Sequence, residues 1–71
     1  MVVICIAHSE QVEDVAVRLA AVHSDGVYQE RVAADETLFS IRAQNLNEAR
    51  YLSGLLYRAG AEQIGIDAEA A

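Results

Sequence analysis

The sequence contains no lysine, no proline and no tryptophan, and its single cysteine is Cys5. One cysteine excludes an internal disulfide, and a free thiol is typical of the cytoplasm, which is the location we expect. No apolar run approaches the roughly 18 residues of a membrane span, so we expect no membrane partner. The chain starts without the basic stretch of a secretory signal, and its first residues are therefore interpreted as folded structure.

Positive charge is also scarce. The basic residues number five, all of them arginine, against eleven acidic residues, and the net charge is −6. Binding to nucleic acid requires a concentrated basic surface, so we expect no nucleic-acid partner. The sequence has no carboxylate pair at catalytic spacing, no Ser/His/Asp arrangement and no glycine-rich phosphate loop. We therefore expect neither catalysis by this chain alone nor a cofactor.

The chain is small and apolar, with 71 residues of which 54% are hydrophobic. This composition predicts one globular domain over residues 1–71. A core of this size contributes roughly 3 to 5 kcal/mol, so small domains are commonly supported by disulfides, metals or a partner subunit. With a disulfide excluded, a metal, good packing or oligomerisation remains.

Four segments have the pattern of strands. Residues 2–7 are apolar on both faces, which predicts a central strand. Residues 27–33 mix Tyr28 and Val32 with Glu30 on one face, as an edge strand does. Residues 37–43 alternate, with Phe39 and Ile41 on one side. Residues 63–67 form the last strand.

Two segments have the pattern of helices. The first runs from about Glu10 to His23, with Ser9 as its N-cap. The second begins after Asn45 as N-cap, with Glu48 completing a variant of the capping box, and ends before Gly60 at C′. We interpret Gly54, inside this helix, as a point where another element approaches closely. Tyr51 and Tyr57 are expected at the half-buried edges of its apolar stripe.

The element order βαββαβ predicts a ferredoxin-like α+β fold, a four-stranded antiparallel sheet with two helices on one face. The expected spatial order of the strands is last, first, third, second. The helices cover only one face of the sheet, and the first strand is apolar on both of its sides. Whichever side faces the helices, the other therefore lies on the open face. An exposed apolar patch commonly marks a partner. We expect a homodimer, or docking on another protein, through Val2, Ile4, Ile6, Leu38, Ser40 and Arg42.

Arg31, Gln29 and Tyr28 of the neighbouring strand are candidates to join Ser40 and Arg42 on that face. A small effector held at the interface is a further possibility. A second candidate site consists of His8 and Ser9 at the start of the first helix. Free backbone N–H groups at the start of a helix attract anions, so these two residues are candidates to bind an anionic ligand.

Cys5 and His8 provide the rival interpretation, a metal or anion carrier. Two ligands are too few for a structural metal site, and residues three apart on a strand point to opposite faces. The pattern favours a buried cysteine and a histidine flanking the helix, so we expect no metal.

The segment "DETLFSIRAQNLNEARYL" is similar to the strand-then-helix half of the Lrp/AsnC ligand-binding domains, and the whole layout resembles these and the ACT domains. This resemblance implies a regulatory module that binds small effectors, such as amino acids, at subunit interfaces. The segments "ICIAHSE" and "LFSIRAQNLNEARYLSGLLYRAGAEQIGI" are more loosely similar to the wybutosine-synthesis methyltransferase family of tRNA modification. We interpret this second likeness as a shared order of strands and helices.

Overall fold

In the computed structural model, residues 1–22 and 26–67 are described. They form, in chain order, β1 (Val2–His8), α1 (Ser9–Val22), β2 (Val27–Ala33), β3 (Glu36–Arg42), α2 (Leu46–Arg58) and β4 (Glu62–Asp67). The strands make one antiparallel sheet in the order β2-β3-β1-β4. The predicted ferredoxin-like α+β fold and the predicted strand order are therefore confirmed. His23, the expected last residue of the first helix, and the acidic tail after Asp67 lie outside the described residues.

The two faces of β1 differ in burial. Val3, Cys5 and Ala7 are fully buried, and they alternate with Ile4 and Ile6, which are not. The odd-numbered set therefore faces the helices, a choice that the sequence left open. On β3 the predicted alternation is confirmed in the same way, with Phe39 and Ile41 buried and Leu38, Ser40 and Arg42 on the opposite side.

The core lies between this buried face of the sheet and the two helices. Both helices contribute to one cluster with β1 and β3, so both lie on the same side of the sheet. Much of the cluster consists of small side chains, and Phe39 is its one aromatic residue among those described. The buried residues are Val3, Cys5, Ala7, Val15, Leu19, Phe39, Ile41, Ala43, Ala49, Leu52, Leu55, Leu56 and Ala61. The core is thin, as the chain length predicts.

Both ends of α2 have the predicted caps. The side chain of Asn45 accepts a hydrogen bond from the Glu48 N–H at 2.8 Å, while the Glu48 carboxylate accepts one from the Gln44 N–H. At the other end, Gly60 has φ 89°, and the Ala61 N–H donates to the Leu56 carbonyl. This 6→1 bond around a left-handed glycine is a Schellman motif, which stops the helix and leads the chain into β4.

Three local predictions were wrong. Ser9 is the first residue of α1 instead of its N-cap. Among the described residues, a Cβ added to Gly54 would meet only the end of the Arg58 side chain, at 3.5 Å, so no other described element approaches there. Tyr51 and Tyr57 are exposed rather than half-buried.

Strand β4 contains an irregularity that shifts its register against β1. Glu62 pairs with Ile6 and Gly65 with Ile4, so β4 uses one residue more than β1 over this interval. Gln63 takes up the difference with φ 52°, a left-handed conformation. Within the described residues, no helix is both long and apolar enough to span a bilayer.

Candidate functional site

The face of the sheet opposite the helices, here called the open face, carries the interface residues predicted from the sequence. The strand registers place them in two adjacent rows, because Val2 pairs with Arg42, Ile4 with Ser40 and Ile6 with Leu38. Nothing from the described chain packs over this side of the sheet, and Ile4 remains 37% exposed. We call the four apolar side chains at its centre the apolar patch: Val2, Ile4, Ile6 and Leu38.

One of the three candidate neighbours from β2 lies on the open face. Tyr28 pairs with Ser40, so the two side chains share that side of the sheet. Gln29 pairs with the buried Phe39, and Arg31 pairs with Thr37, which places Gln29 and Arg31 on the helix-facing side. The expectation that these two join Arg42 was therefore wrong. Both residues are exposed, as is the whole of β2.

Gly65 of β4 leaves space beside Ile4 on the open face because it has no side chain. It pairs with Ile4 across the strand, and a Cβ at this position would lie 3.8 Å from Ile4 Cγ1. The flank of Ile4 toward β4 is therefore left uncovered.

A polar cluster, here called the His8 corner, occupies one end of the open face. The His8 ring lies between β4 and the turn joining β2 to β3, with Nε2 against the Glu62 carboxylate and Nδ1 3.2 Å from the Asp35 carbonyl oxygen. The Asp35 carboxylate lies 3.4 Å from the same Nδ1 and accepts a hydrogen bond from the Ser9 N–H at 3.1 Å. Glu36, opposite His8 in the register, completes the surroundings.

This geometry favours the charged form of His8. Both ring nitrogens face oxygen acceptors, and a neutral imidazole has only one N–H to donate. The hydrogen bond to Glu62, with that to the Asp35 carbonyl, raises the pKa of His8 above its ordinary value of 6.5. The pKa of Asp35 is lowered, chiefly by the hydrogen bonds that it accepts from Ser9. The corner thus places the His8 ring between two carboxylates, which favour its protonated form.

The same contacts bear on the predicted anion site at His8 and Ser9. The Ser9 N–H already donates to Asp35, and the His8 N–H donates to Gln11 Oε1 at 3.2 Å. The N–H groups of His8 and Ser9 therefore have acceptors within the chain. Asp35 and Glu62 also surround the position with negative charge, which opposes an anionic ligand.

Cys5 lies apart from this corner. Its side chain faces the core with no exposed surface, whereas His8 belongs to the open face. Burial raises the pKa of the Cys5 thiol to about 11, so the thiolate needed to ligate Zn(II) or Cu(I) is scarce at neutral pH. Within residues 1–22 and 26–67, no three His, Cys, Asp or Glu side chains are arranged to hold a metal ion.

Sequence reasoning missed Asp35, Glu36 and Glu62 of the His8 corner, and also Gln11, whose side chain accepts a hydrogen bond from the His8 N–H. Gln11 carried a readable signal, because it follows His8 by three residues, the spacing at which a Gln side chain returns to the N-cap N–H. Asp35 and Glu62 gave no such local signal. They reach His8 only through the antiparallel pairing of β3 and β4 with β1.

Comparison with models of protein families, with curated proteins and with solved structures finds no match for this chain.

Proposed function

We propose that this protein is a small non-catalytic interaction module that forms a homodimer by packing the open faces of two sheets against each other. The observation that carries the proposal is the uncovered apolar patch at the centre of the sheet. Val2, Ile4 and Ile6 alternate with fully buried residues on the same strand, so β1 has the composition of a strand covered on both sides.

The thin core supports the same proposal. Alanine and cysteine supply much of the buried cluster, and such side chains contribute less apolar burial than leucine or phenylalanine. Covering the apolar patch with a second copy would extend the core across the sheet. A partner subunit is one of the few ways in which a domain of this length gains stability.

The size of the face sets the expected affinity. Four strands spaced about 4.8 Å apart, with seven residues rising about 3.4 Å each, make a face of about 24 by 19 Å. If the faces are treated as flat, the two of them bury about 900 Å² in total, which is below the range of stable complexes. We therefore expect dissociation constants in the micromolar range.

Analytical ultracentrifugation at tens of micromolar tests the dimer. The wild type is expected to sediment as a dimer, and the double variant Ile4→Glu, Leu38→Glu as a folded monomer, because four carboxylates would be buried in the interface. The matched control is Val17→Glu, Tyr57→Glu. These side chains are 61% and 77% exposed on the helix side, so this variant should remain dimeric. A monomeric wild type would overturn the proposal.

Docking on a different protein would use the same surface and is an outcome of this experiment. It would leave the wild type monomeric, and Ile4→Glu would weaken its binding to that protein. An effector held between the copies, as the resemblance to ACT and Lrp/AsnC domains implies, would meet Ser40 and Arg42 beside the apolar patch. Such a ligand would tighten the wild-type dimer measurably.

A further inference from the structure

The charges on the open face differ between its two ends. Arg42 lies at one end beside Val2, and Asp67 is on the other side of Val2. The opposite end carries Glu36 and the His8 corner with Glu62. Glu30 stands beside Leu38 on the same half of the sheet, one strand out. Charge is therefore distributed unevenly over the open face, and the end where β1 leads into α1 is the acidic one.

Two of these charges lack an ion-pair partner among residues 1–22 and 26–67. In the parts that the structure describes, neither Arg42 nor Glu36 takes part in an ion pair. They lie on the same face of β3, six residues and therefore about 20 Å apart, too far to interact directly. A second molecule can place an oppositely charged residue against each of them.

A face-to-face dimer with two-fold symmetry can place its axis along or across the strands. An axis across the strands stacks β3 on its copy with the direction reversed. The register then sets Arg42 over Glu36 of the second copy, and Tyr28 over Glu30. Within one chain the Tyr28 hydroxyl already donates to Glu30 at 3.1 Å, so this pair of groups is compatible.

An axis along the strands stacks β1 on β3 of the second copy and β4 on β2. Arg42 then lies over the apolar Val2, and Glu62 lies level with Glu30 twice in the interface. Glu36 would face His8, which is the favourable contact of this arrangement. By symmetry this arrangement contains two repulsive Glu62–Glu30 pairs and two attractive Glu36–His8 pairs, and it leaves Arg42 without an acidic residue opposite it.

We propose that the two copies pack with their strands reversed, so that Arg42 of each chain pairs with Glu36 of the other. This inference rests on the homodimer of the preceding subsection. In the reversed arrangement, Arg42 and Glu36 form two symmetry-related ion pairs between the copies at the rim of the apolar patch. At the centre, Ile4 of each copy stacks on Ile6 of the other.

A double-mutant cycle measured by sedimentation equilibrium tests the orientation. Arg42→Glu alone and Glu36→Arg alone are each expected to raise the dissociation constant at least about tenfold, a change that corresponds to about 1.4 kcal/mol. The charge-swapped double variant is expected to return close to the wild-type value. Because the two positions do not meet within one chain, such recovery reports a contact between copies. Urea unfolding of each variant at low concentration controls for folding.

The outcomes separate this inference from the proposed function. A monomeric wild type overturns the dimer, and the orientation with it. The wild type could instead be dimeric while the losses of binding free energy from the two single substitutions simply add in the double variant. That result overturns the reversed orientation alone. The same holds if Arg42→Glu leaves the dissociation constant unchanged or tightens the dimer.

Discussion

The imidazole of His8 is hydrogen-bonded to the carboxylate of Glu62, which lies 54 positions further along the chain. The contact joins the end of β1 to the start of β4. On its other side the same ring reaches Asp35, so one side chain links the central strand, the edge strand and the turn between β2 and β3. The protonation of a single histidine therefore bears on how three segments are held together.

We expect the stability of the protein to fall as the pH rises through the folded pKa of His8. This pKa is raised by Glu62 and by the Asp35 carbonyl, with Glu36 as the charged neighbour on β3. Below the ordinary value of 6.5 both the folded and the unfolded imidazole are protonated, and the stabilisation is fully present. Above the folded pKa it is lost. Urea unfolding across this window should show the decline.

The variant His8→Gln isolates this effect, because His23 is present in both proteins. The difference in unfolding free energy between wild type and variant should shrink toward alkaline pH. Chemical-shift titration of the His8 ring should give a pKa above 6.5 that Glu62→Gln lowers and that Glu13→Gln, on the exposed side of α1, leaves in place. A His8 pKa at or below 6.5 in the wild type would contradict the assignment.

Cys5 is expected to be unreactive in the folded protein. Its thiol is fully buried, and its pKa is raised to about 11 by that burial. Labelling with a disulfide reagent at mildly alkaline pH should be at least about 100-fold slower in buffer than in urea, because the thiolate is scarce and the reagent has no access. The exposed variant Tyr57→Cys in a Cys5→Ala background should label rapidly in both solvents.

The same residue tests the metal-carrier alternative. A calorimetric titration with Zn(II) or Cu(I) is expected to give the same result for the wild type and for Cys5→Ser. Uptake of one equivalent that depends on Cys5 would favour the carrier and would require the thiol to leave the core. Rapid labelling of native Cys5 would point in the same direction.

Gly54, inside α2, and Gly60, just after its C-terminal end, provide a pair of substitutions with opposite expected effects on stability. Gly54→Ala is expected to stabilise the protein by about 1 kcal/mol, because Gly54 is helical and only the flexible Arg58 side chain is near. Gly60→Ala is expected to destabilise it by about 1 to 2 kcal/mol, because φ is 89° there. An added Cβ would also come within 2.6 Å of Gln11 Nε2. Urea unfolding of both variants measures the contrast.

If Gly60→Ala proved as stable as the wild type, the left-handed helix end would be contradicted. A loss of stability in Gly54→Ala would instead revive the idea that another element approaches the helix at Gly54.

The parts of the fold that follow from side-chain periodicity were predictable. The alternation in residues 37–43 and the apolar stripe with Asn45 and Gly60 at its ends identify a strand and a helix without tertiary information. The order of elements then predicts the strand order of the sheet, which the structure confirms. Burial of the odd-numbered residues of β1 was not predictable, because both faces of the strand are apolar.

The errors arose where tertiary contacts replace local ones. Ser9 has the side chain of an N-cap, but Asp35, brought from the hairpin turn by the pairing of β1 with β3, accepts the N–H at the helix start. Gln29 and Arg31 were candidates for the open face, as alternatives to Tyr28, because the register between β2 and β3 was not known. A shift of one residue moves every side chain to the other face of a sheet.

Gln63 provides the last test, at the bulge of β4. Its φ of 52° is a conformation that glycine adopts without steric cost and that other residues adopt at a cost of about 1 kcal/mol or more. We expect Gln63→Gly to stabilise the protein by about 0.5 to 1 kcal/mol in urea unfolding. The matched control is Gln29→Gly, in the exposed and extended strand β2, which should destabilise by about the same amount because glycine weakens a regular strand. Equal destabilisation by both substitutions would contradict the left-handed backbone at Gln63 and with it the register that places Gly65 beside Ile4.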